Sequence, residues 1–351
     1  MHMADALLAP AAAAVMYAAS GTAAGISMHR LKKDSEEQKL PAMAVTSALV
    51  FAGQMINYTI PGTGSSGHMC GGMLLSALLG PQAGFLSMIV ILTIQCLFFA
   101  DGGLLALGAN VWNMAFYGCF VGYYLVWRPL MRSRIFSGMG ARVKIILASV
   151  LGCVLTLQLG AFSVVLETTL SGIAELPFGA FAALMQPIHL AIGLVEGVIT
   201  AAVLVFVYRS RPELLQDVEP DGVSSGKRTL RSTLVILAVT AAVVGGGLSL
   251  AASTNPDGLE WALFGNEEAG YAANMGLDEE RFGVSGGAAD AAGAIQEATA
   301  LLPDYAFAGS DSAAGTTVSG LAGSSLVALA AVLICLAGGF FRKRKKGETR
   351  V

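Results

Sequence analysis

Long apolar runs separated by short polar joints dominate the chain. Nine can be read, near residues 8–28, 41–57, 68–80, 82–100, 104–127, 143–165, 183–207, 229–252 and 321–341. A helix needs roughly 20 mostly apolar residues to cross the hydrocarbon of a bilayer. The pattern predicts an all-α membrane protein with nine spans, of which the third, His68 to Gly80, is short. Two polar regions interrupt it. Residues 211–228 carry Pro212, Pro220, Asp221-Gly222 and Ser224-Ser225-Gly226, the residues of a linker. Residues 253–320 are rich in Ala and Gly, hold eleven Asp or Glu and one basic residue, and suggest a small, partly ordered domain with a helix from about Gly286 to Leu302. The expected division is a seven-span unit over 1–210, a cytoplasmic linker over 211–228 and a two-span part over 229–351.

Composition agrees with a bilayer environment. Of 351 residues, 55% are hydrophobic and 13% charged, against about 25% charged in a typical soluble domain. The net charge of −3 says little, but the distribution of basic residues says more. All of the 21 except Arg281 lie in four clusters, at 30–39, 128–144, 209–231 and 342–350. The positive-inside rule places these in the cytoplasm. The N-terminus is then extracytoplasmic and the C-terminus cytoplasmic. An even number of spans must separate the first two clusters, which counts His68–Gly80 as a crossing. The start, Met1-His2-Met3-Ala4-Asp5, lacks the basic region of a cleavable signal peptide. Cys70, Cys96, Cys119, Cys153 and Cys335 all fall in apolar runs, as small buried hydrophobes do.

Few residues here can do chemistry. A free amine on Met1, the amide nitrogen of residue 2 and Nδ1 of His2 can wrap one metal ion in a five- and a six-membered ring. All-nitrogen, square-planar sets favour Ni²⁺ or Cu²⁺ over Zn²⁺ or Mg²⁺. His68, in the glycine-rich stretch Gly62-Thr-Gly-Ser-Ser-Gly-His68-Met-Cys-Gly-Gly72, is placed to add a fourth nitrogen at the outer face. His189 begins the seventh span, and Glu196 lies seven residues on, hence on the same helical face and about 10 Å deeper. An intramembrane acid is a candidate for a pathway role; a structural hydrogen bond is the alternative. Asn110 and Asn113, three apart on the fifth span, face one way. They would either orient imidazoles or join helices. His29 reads as interfacial. Ala18, Gly21 and Gly25 give the first span a small-residue face for close packing, within the chain or with a partner.

Met1-His2, the stretch around His68, the run Asp101 to Phe116 and the run Pro187 to Thr200 resemble the nickel/cobalt substrate-capture components of energy-coupling-factor transporters. Asn255-Pro-Asp-Gly-Leu-Glu-Trp261 resembles the motif of the PDGLE domain of their accessory component, and Pro303–Phe307 and Gly315–Gly323 fit that domain. The resemblance implies a seven-span capture unit fused to a two-span accessory part in a prokaryotic cell membrane. Its N-terminus would tuck into the centre, with the metal held by the Met1 amine, the His2 amide and imidazole nitrogens, and His68. Many relatives begin Met-His-Ile-Met, whereas this chain has Ala4. The metal would be cargo rather than a cofactor. Implied partners are a transmembrane coupling subunit, ATPase subunits and membrane lipid, with no nucleic acid.

No GxxxxGK[ST] loop is present, so an ATP-driven process would need its motor on another chain. A membrane metalloenzyme would need a motif such as HExxH and an open metal position, and HExxH is absent. A sensor would need a cytoplasmic output domain, whereas the inner loops are short and basic. Nickel and cobalt both remain open as cargo, the latter in a version feeding cobalamin synthesis.

Overall fold

A computed structural model describes residues 1–34, 40–172, 176–219, 228–271, 287–310 and 312–348. Helices appear in chain order as α1 (Pro10–Asp34), α2 (Leu40–Gln54), α3 (Gly72–Leu79), α4 (Pro81–Phe99) and α5 (Leu107–Asn110). A π-helix over Val111–Trp127 continues α5 without a break into α6 (Arg128–Arg132). Then follow α7 (Ala141–Ser171), α8 (Phe178–Ser210), α9 (Leu230–Gly246), α10 (Gly258–Phe264), α11 (Ala288–Thr299) and α12 (Ala313–Glu348). Each of the nine apolar runs is thus helical. Among the described residues, five helices are long and apolar enough to cross a membrane: Pro10–Leu31, Pro81–Phe99, Ala141–Ser171, Phe178–Ser210 and Ala313–Ile334. α2 and α9 are shorter apolar helices. The helix expected in the outer segment is α11. Lys39, Arg281 and the linker breakers from Pro220 to Gly226 lie outside the described residues.

The third run departs from a simple span. α3 has eight residues, about 12 Å of helix, and His68 to Gly71 precede it in non-helical form. The antiparallel strands β1 (Tyr58–Ile60) and β2 (Ser65–Gly67) lead into it. Gly71, at φ 83°, makes the turn, and a Cβ there would collide with Val50. Gly80 reverses the chain, so that Gly84 of α4 lies against the backbone of Leu75 and Ser76. Non-helical backbone at membrane depth must find partners inside the protein. Glu196 accepts from the N–H of Cys70 at 2.8 Å and of Gly71 at 2.9 Å, and Gln54 Nε2 donates to the Cys70 carbonyl at 2.7 Å.

The other end of α3 is held by the beginning of the linker. Gln216 donates from its backbone to the Ala77 carbonyl at 2.8 Å and from Nε2 to the Leu78 carbonyl at 3.1 Å. These are the orphan acceptors of a helix C-terminus. Asp217 is clasped in turn by Arg132 at 2.6 Å and the Tyr123 hydroxyl at 2.7 Å, and Trp127 Nε1 donates to the Gln216 carbonyl at 2.9 Å.

Close helix contact runs through glycines elsewhere. Gly193 and Gly197 of α8 meet the α7 backbone at Val154 and Val150, the short approach that small residues allow. α9 and α12 pack on α2 and on each other, with Gly320 against the Gly245 carbonyl and Gly323 against Phe51. Gly21 and Gly25 of α1 face open space instead. In the π-helix each N–H bonds five residues back, which brings residues four apart nearly into line. Trp112 stacks on Phe116 at 4.0 Å, and Phe116 meets Phe120 at 5.3 Å with the rings tilted by 50°.

Candidate functional site

The first eight residues bury Met1, Met3, Leu7 and Leu8 while Ala4 stays exposed: Met1 is 5% exposed, and Met3 and Leu8 are fully buried. Their apolar side chains drive the burial, and their backbone needs partners. Asn110 supplies two, accepting from Met3 N at 2.7 Å and donating to the Met3 carbonyl at 3.1 Å. Gly103 N donates to the same carbonyl at 2.9 Å. Asp5 accepts from Ala106 N at 2.9 Å, and any Cβ on Gly103 would strike Asp5. Asn113 donates to Glu167 on α7 at 2.7 Å and approaches the Met3 sulfur at 3.7 Å. Neither asparagine hydrogen-bonds an imidazole. Asn110 pins the amino-terminal segment, and Asn113 joins two helices.

This arrangement brings His2 and His68 together. Their rings stack with centroids 5.1 Å apart and planes inclined by 22°. His68 Nδ1 pairs with the Met69 carbonyl at 3.0 Å. His2 Nδ1 faces Asp101 Oδ1 at 3.1 Å, and its Nε2 faces Gln95 Oε1 at 3.3 Å. Gln95 also donates to Gln54 at 2.8 Å, so the chain of bonds ends at the Cys70 carbonyl. With Nδ1 turned to Asp101, a chelate through that atom requires the His2 ring to turn. Among the described residues, no three His, Cys, Asp or Glu side chains converge at metal-binding spacing. A metal held here would therefore draw on backbone nitrogen as well.

The Met1 amine lies 2.6 Å from Asp257 Oδ2. Asp257 is the N-cap of α10. Its Oδ1 accepts from Leu259 N at 2.7 Å and Glu260 N at 2.9 Å, while Glu260 accepts from Asp257 N at 3.2 Å. This capping box fixes the carboxylate and leaves Oδ2 for the amine. Burial disfavours the Met1 ammonium, but the Asp257 carboxylate outweighs it and the amine pKa is raised above 8.0. Burial likewise works against the Asp257 anion, and the ammonium beside it holds that carboxyl well below the usual range. Burial lowers the His2 pKa, with Asp101 opposing.

The segment between α9 and α12 reaches the surroundings of His2 as well. Tyr305 donates to Asp101 Oδ2 at 2.6 Å, on the carboxylate whose other oxygen faces His2. Gln296 donates to the Gly102 carbonyl at 2.7 Å. Along the strand pair leading to His68, Ser66 N donates to the Pro256 carbonyl at 2.8 Å, Asn266 to Gly64 at 2.8 Å and Ser253 N to Asn57 at 2.7 Å.

His189, on α8, is 1% exposed, and its Nδ1 pairs with the Met185 carbonyl at 2.8 Å. It lines a small cavity with Met1, His68 and Asp257. Glu196 is committed to the backbone of Cys70 and Gly71, as described above. Asp257, Gln95, Tyr305 and Glu167 are not evident from the sequence alone. Asp257 and Glu260 do carry a local signal, the Asp-x-x-Glu spacing of a helix start, but the pairing of Asp257 with Met1 spans almost the whole chain.

Comparison with known proteins identifies the family of the chain. Residues 2–214 match the family described as cobalt uptake substrate-specific transmembrane region, and residues 231–338 match the PDGLE domain. A chain of Archaeoglobus fulgidus, provisionally named fused nickel transport protein NikMN, is 36% identical over 93% of this chain and 95% of its own length. The fused nickel transport protein NikMN of Rhodobacter capsulatus is 31% identical over the same shares. The cobalt transport protein CbiM of Sorangium cellulosum is 33% identical over 61% of this chain and 94% of its own. A crystal structure described as a truncated transition metal transporter is 32% identical and superposes with a TM-score of 0.51, covering 59% of this chain and 98% of that one. The chain belongs to the family of cobalt-uptake substrate-specific transmembrane proteins and carries a PDGLE domain behind that region.

Proposed function

We propose that the chain is the substrate-binding membrane subunit of an energy-coupling-factor importer for Ni²⁺ or Co²⁺, with its N-terminus extracytoplasmic. The observation that carries this reading is the stacking of the His2 and His68 rings beside a small cavity that Met1 and His68 line together. The ligands would be the amine, the His2 amide and imidazole nitrogens, and His68. Loading requires the amine to leave Asp257 and lose its proton, the amide to lose its proton, and the His2 ring to turn from Asp101. The acidic outer segment would draw cations toward the site. Square-planar nitrogen favours nickel, and the fused nickel transport relatives lean the same way; cobalt is the second reading, on the strength of the cobalt transport relatives. ATP hydrolysis would reside on partner chains joined through a membrane coupling subunit.

The deciding experiment is calorimetric nickel titration of the purified chain with and without one residue added before Met1, any tag removed. The extension moves the amine too far along to close the same rings, so the extended form loses high-affinity binding. Equal affinity in the two forms rejects the amino-terminal chelate.

A further inference from the structure

His68 and His189 are prepared alike. Each pairs Nδ1 with a backbone carbonyl, His68 with Met69 and His189 with Met185. A histidine tied this way keeps its proton on Nδ1 and presents the Nε2 lone pair, as metal-binding imidazoles generally do. His189 Nε2 is buried without a hydrogen-bond partner among the described residues, a costly condition for a polar atom. The cavity it lines measures about 10 Å³, room for one water-sized sphere. Met1 and His68 form part of its wall, and Asp257 and Gly258 of the outer segment form another part. Gly258 lies against Ile188 and the imidazole: a Cβ there would sit 2.7 Å from Ile188 Cγ2, 3.1 Å from His189 Cε1 and 3.5 Å from Nε2.

We propose that His189 is a transfer ligand, whose Nε2 takes the divalent ion as it arrives beneath the outer segment and passes it to Met1, His2 and His68. This rests on the amino-terminal chelate proposed above. The step is ligand exchange with no change of oxidation state. One bound water leaves the ion as Nε2 attaches, and Nε2 detaches as the chelate nitrogens close. A group that touches the ion only in passage lowers the barrier equally in both directions. Its loss slows entry and escape by one factor and leaves the equilibrium unchanged.

The test uses the full chain in detergent with Ni²⁺ as probe. Stopped-flow association, chelator-driven release and calorimetric Kd are measured for the parent, His189→Gln and Gly258→Ala. Both variants are expected to slow association and release by about tenfold, with Kd within about threefold, taking the usual size of effects around metal sites. Unchanged rates in the folded variants overturn the proposal. A weaker Kd caused by faster release makes His189 a resident ligand and also overturns it. Where His189→Gln fails to fold by thermal melt, Gly258→Ala decides, because it narrows the space over the ring at Ile188 and His189 Cε1 without altering the imidazole. His68→Ala is run in parallel. Normal binding by that variant rejects the chelate itself, whereas its failure to bind alongside unaltered His189→Gln kinetics rejects only the transfer step.

Discussion

The Met1 amine and the Asp257 carboxylate, 256 positions apart in the chain, form a buried ion pair at 2.6 Å. One belongs to the proposed chelate and the other to the N-cap of α10. The amine is therefore engaged by the segment that follows α9.

Nickel affinity should fall as pH drops below the raised pKa of the Met1 amine. The metal needs the amine deprotonated, and Asp257 holds the amine pKa above its ordinary 8.0. Protons therefore compete at every pH below that raised value, and affinity recovers above it. The amine proton contributes about tenfold per pH unit below that value, and the amide proton released on binding contributes about a further tenfold per unit. Asp257→Asn removes the carboxylate that raises the amine, so the midpoint of this competition should move to lower pH. Calorimetric Kd from pH 6 to 9 (about the span of interest for an amine of pKa ~8) measures it, and an unmoved midpoint would contradict the role given to the ion pair.

Removing ligand side chains should act more severely than removing the asparagines. His2→Ala and His68→Ala each delete a proposed nitrogen and should abolish high-affinity binding. Asn110→Ala leaves every ligand in place but frees the Met3 backbone, so it should weaken binding by a smaller factor, about 10- to 100-fold. Titrations of the three variants side by side give the order; an Asn110→Ala loss as complete as that of His68→Ala would be a contrary result.

Glu196→Ala should destabilise the fold rather than remove a ligand. It strands the N–H groups of Cys70 and Gly71 in the interior, at roughly 1–3 kcal/mol for each unsatisfied donor. Thermal unfolding in detergent should show a clear drop in Tm. A variant as stable as the parent but unable to carry metal would instead return Glu196 to the pathway.

Deleting 229–351 should impair transport while leaving nickel binding by the remainder largely intact, because all the proposed ligands lie before residue 211. Uptake by cells supplying the coupling and ATPase subunits, compared with calorimetry on the truncated protein, separates the two. Loss of binding in a folded truncation would make the accessory part integral to the site.

Much of the helical architecture was legible because apolar runs of span length leave few alternatives. The short third run was the instructive exception. Hydropathy shows that His68–Gly80 is apolar but not that Gly71 breaks the helix, because the reason lies in the distant carboxylate of Glu196 and in contact with Val50. At the site, Met1, His2 and His68 were suggested by chelate chemistry and by resemblance, and the stacked rings bring the two histidines together. Asp257 was out of reach, because a helix-capping aspartate carries no local sign that its second oxygen faces an amine 256 residues away. The spacing of Asn110 and Asn113 gave a shared direction but not their partners, which are the backbone of Met3 and the side chain of Glu167.

The clasp formed by Gln216 and Asp217 bears on how the chain can be divided. Residues that read as the start of a tether hold the carbonyls of Ala77 and Leu78, with Arg132, Tyr123 and Trp127 closing around them. A gene split into two co-expressed halves should therefore keep Gln216 and Asp217 with the first half. A cut upstream of them would leave the C-terminal end of α3 uncapped, whereas a cut downstream spares every one of those bonds.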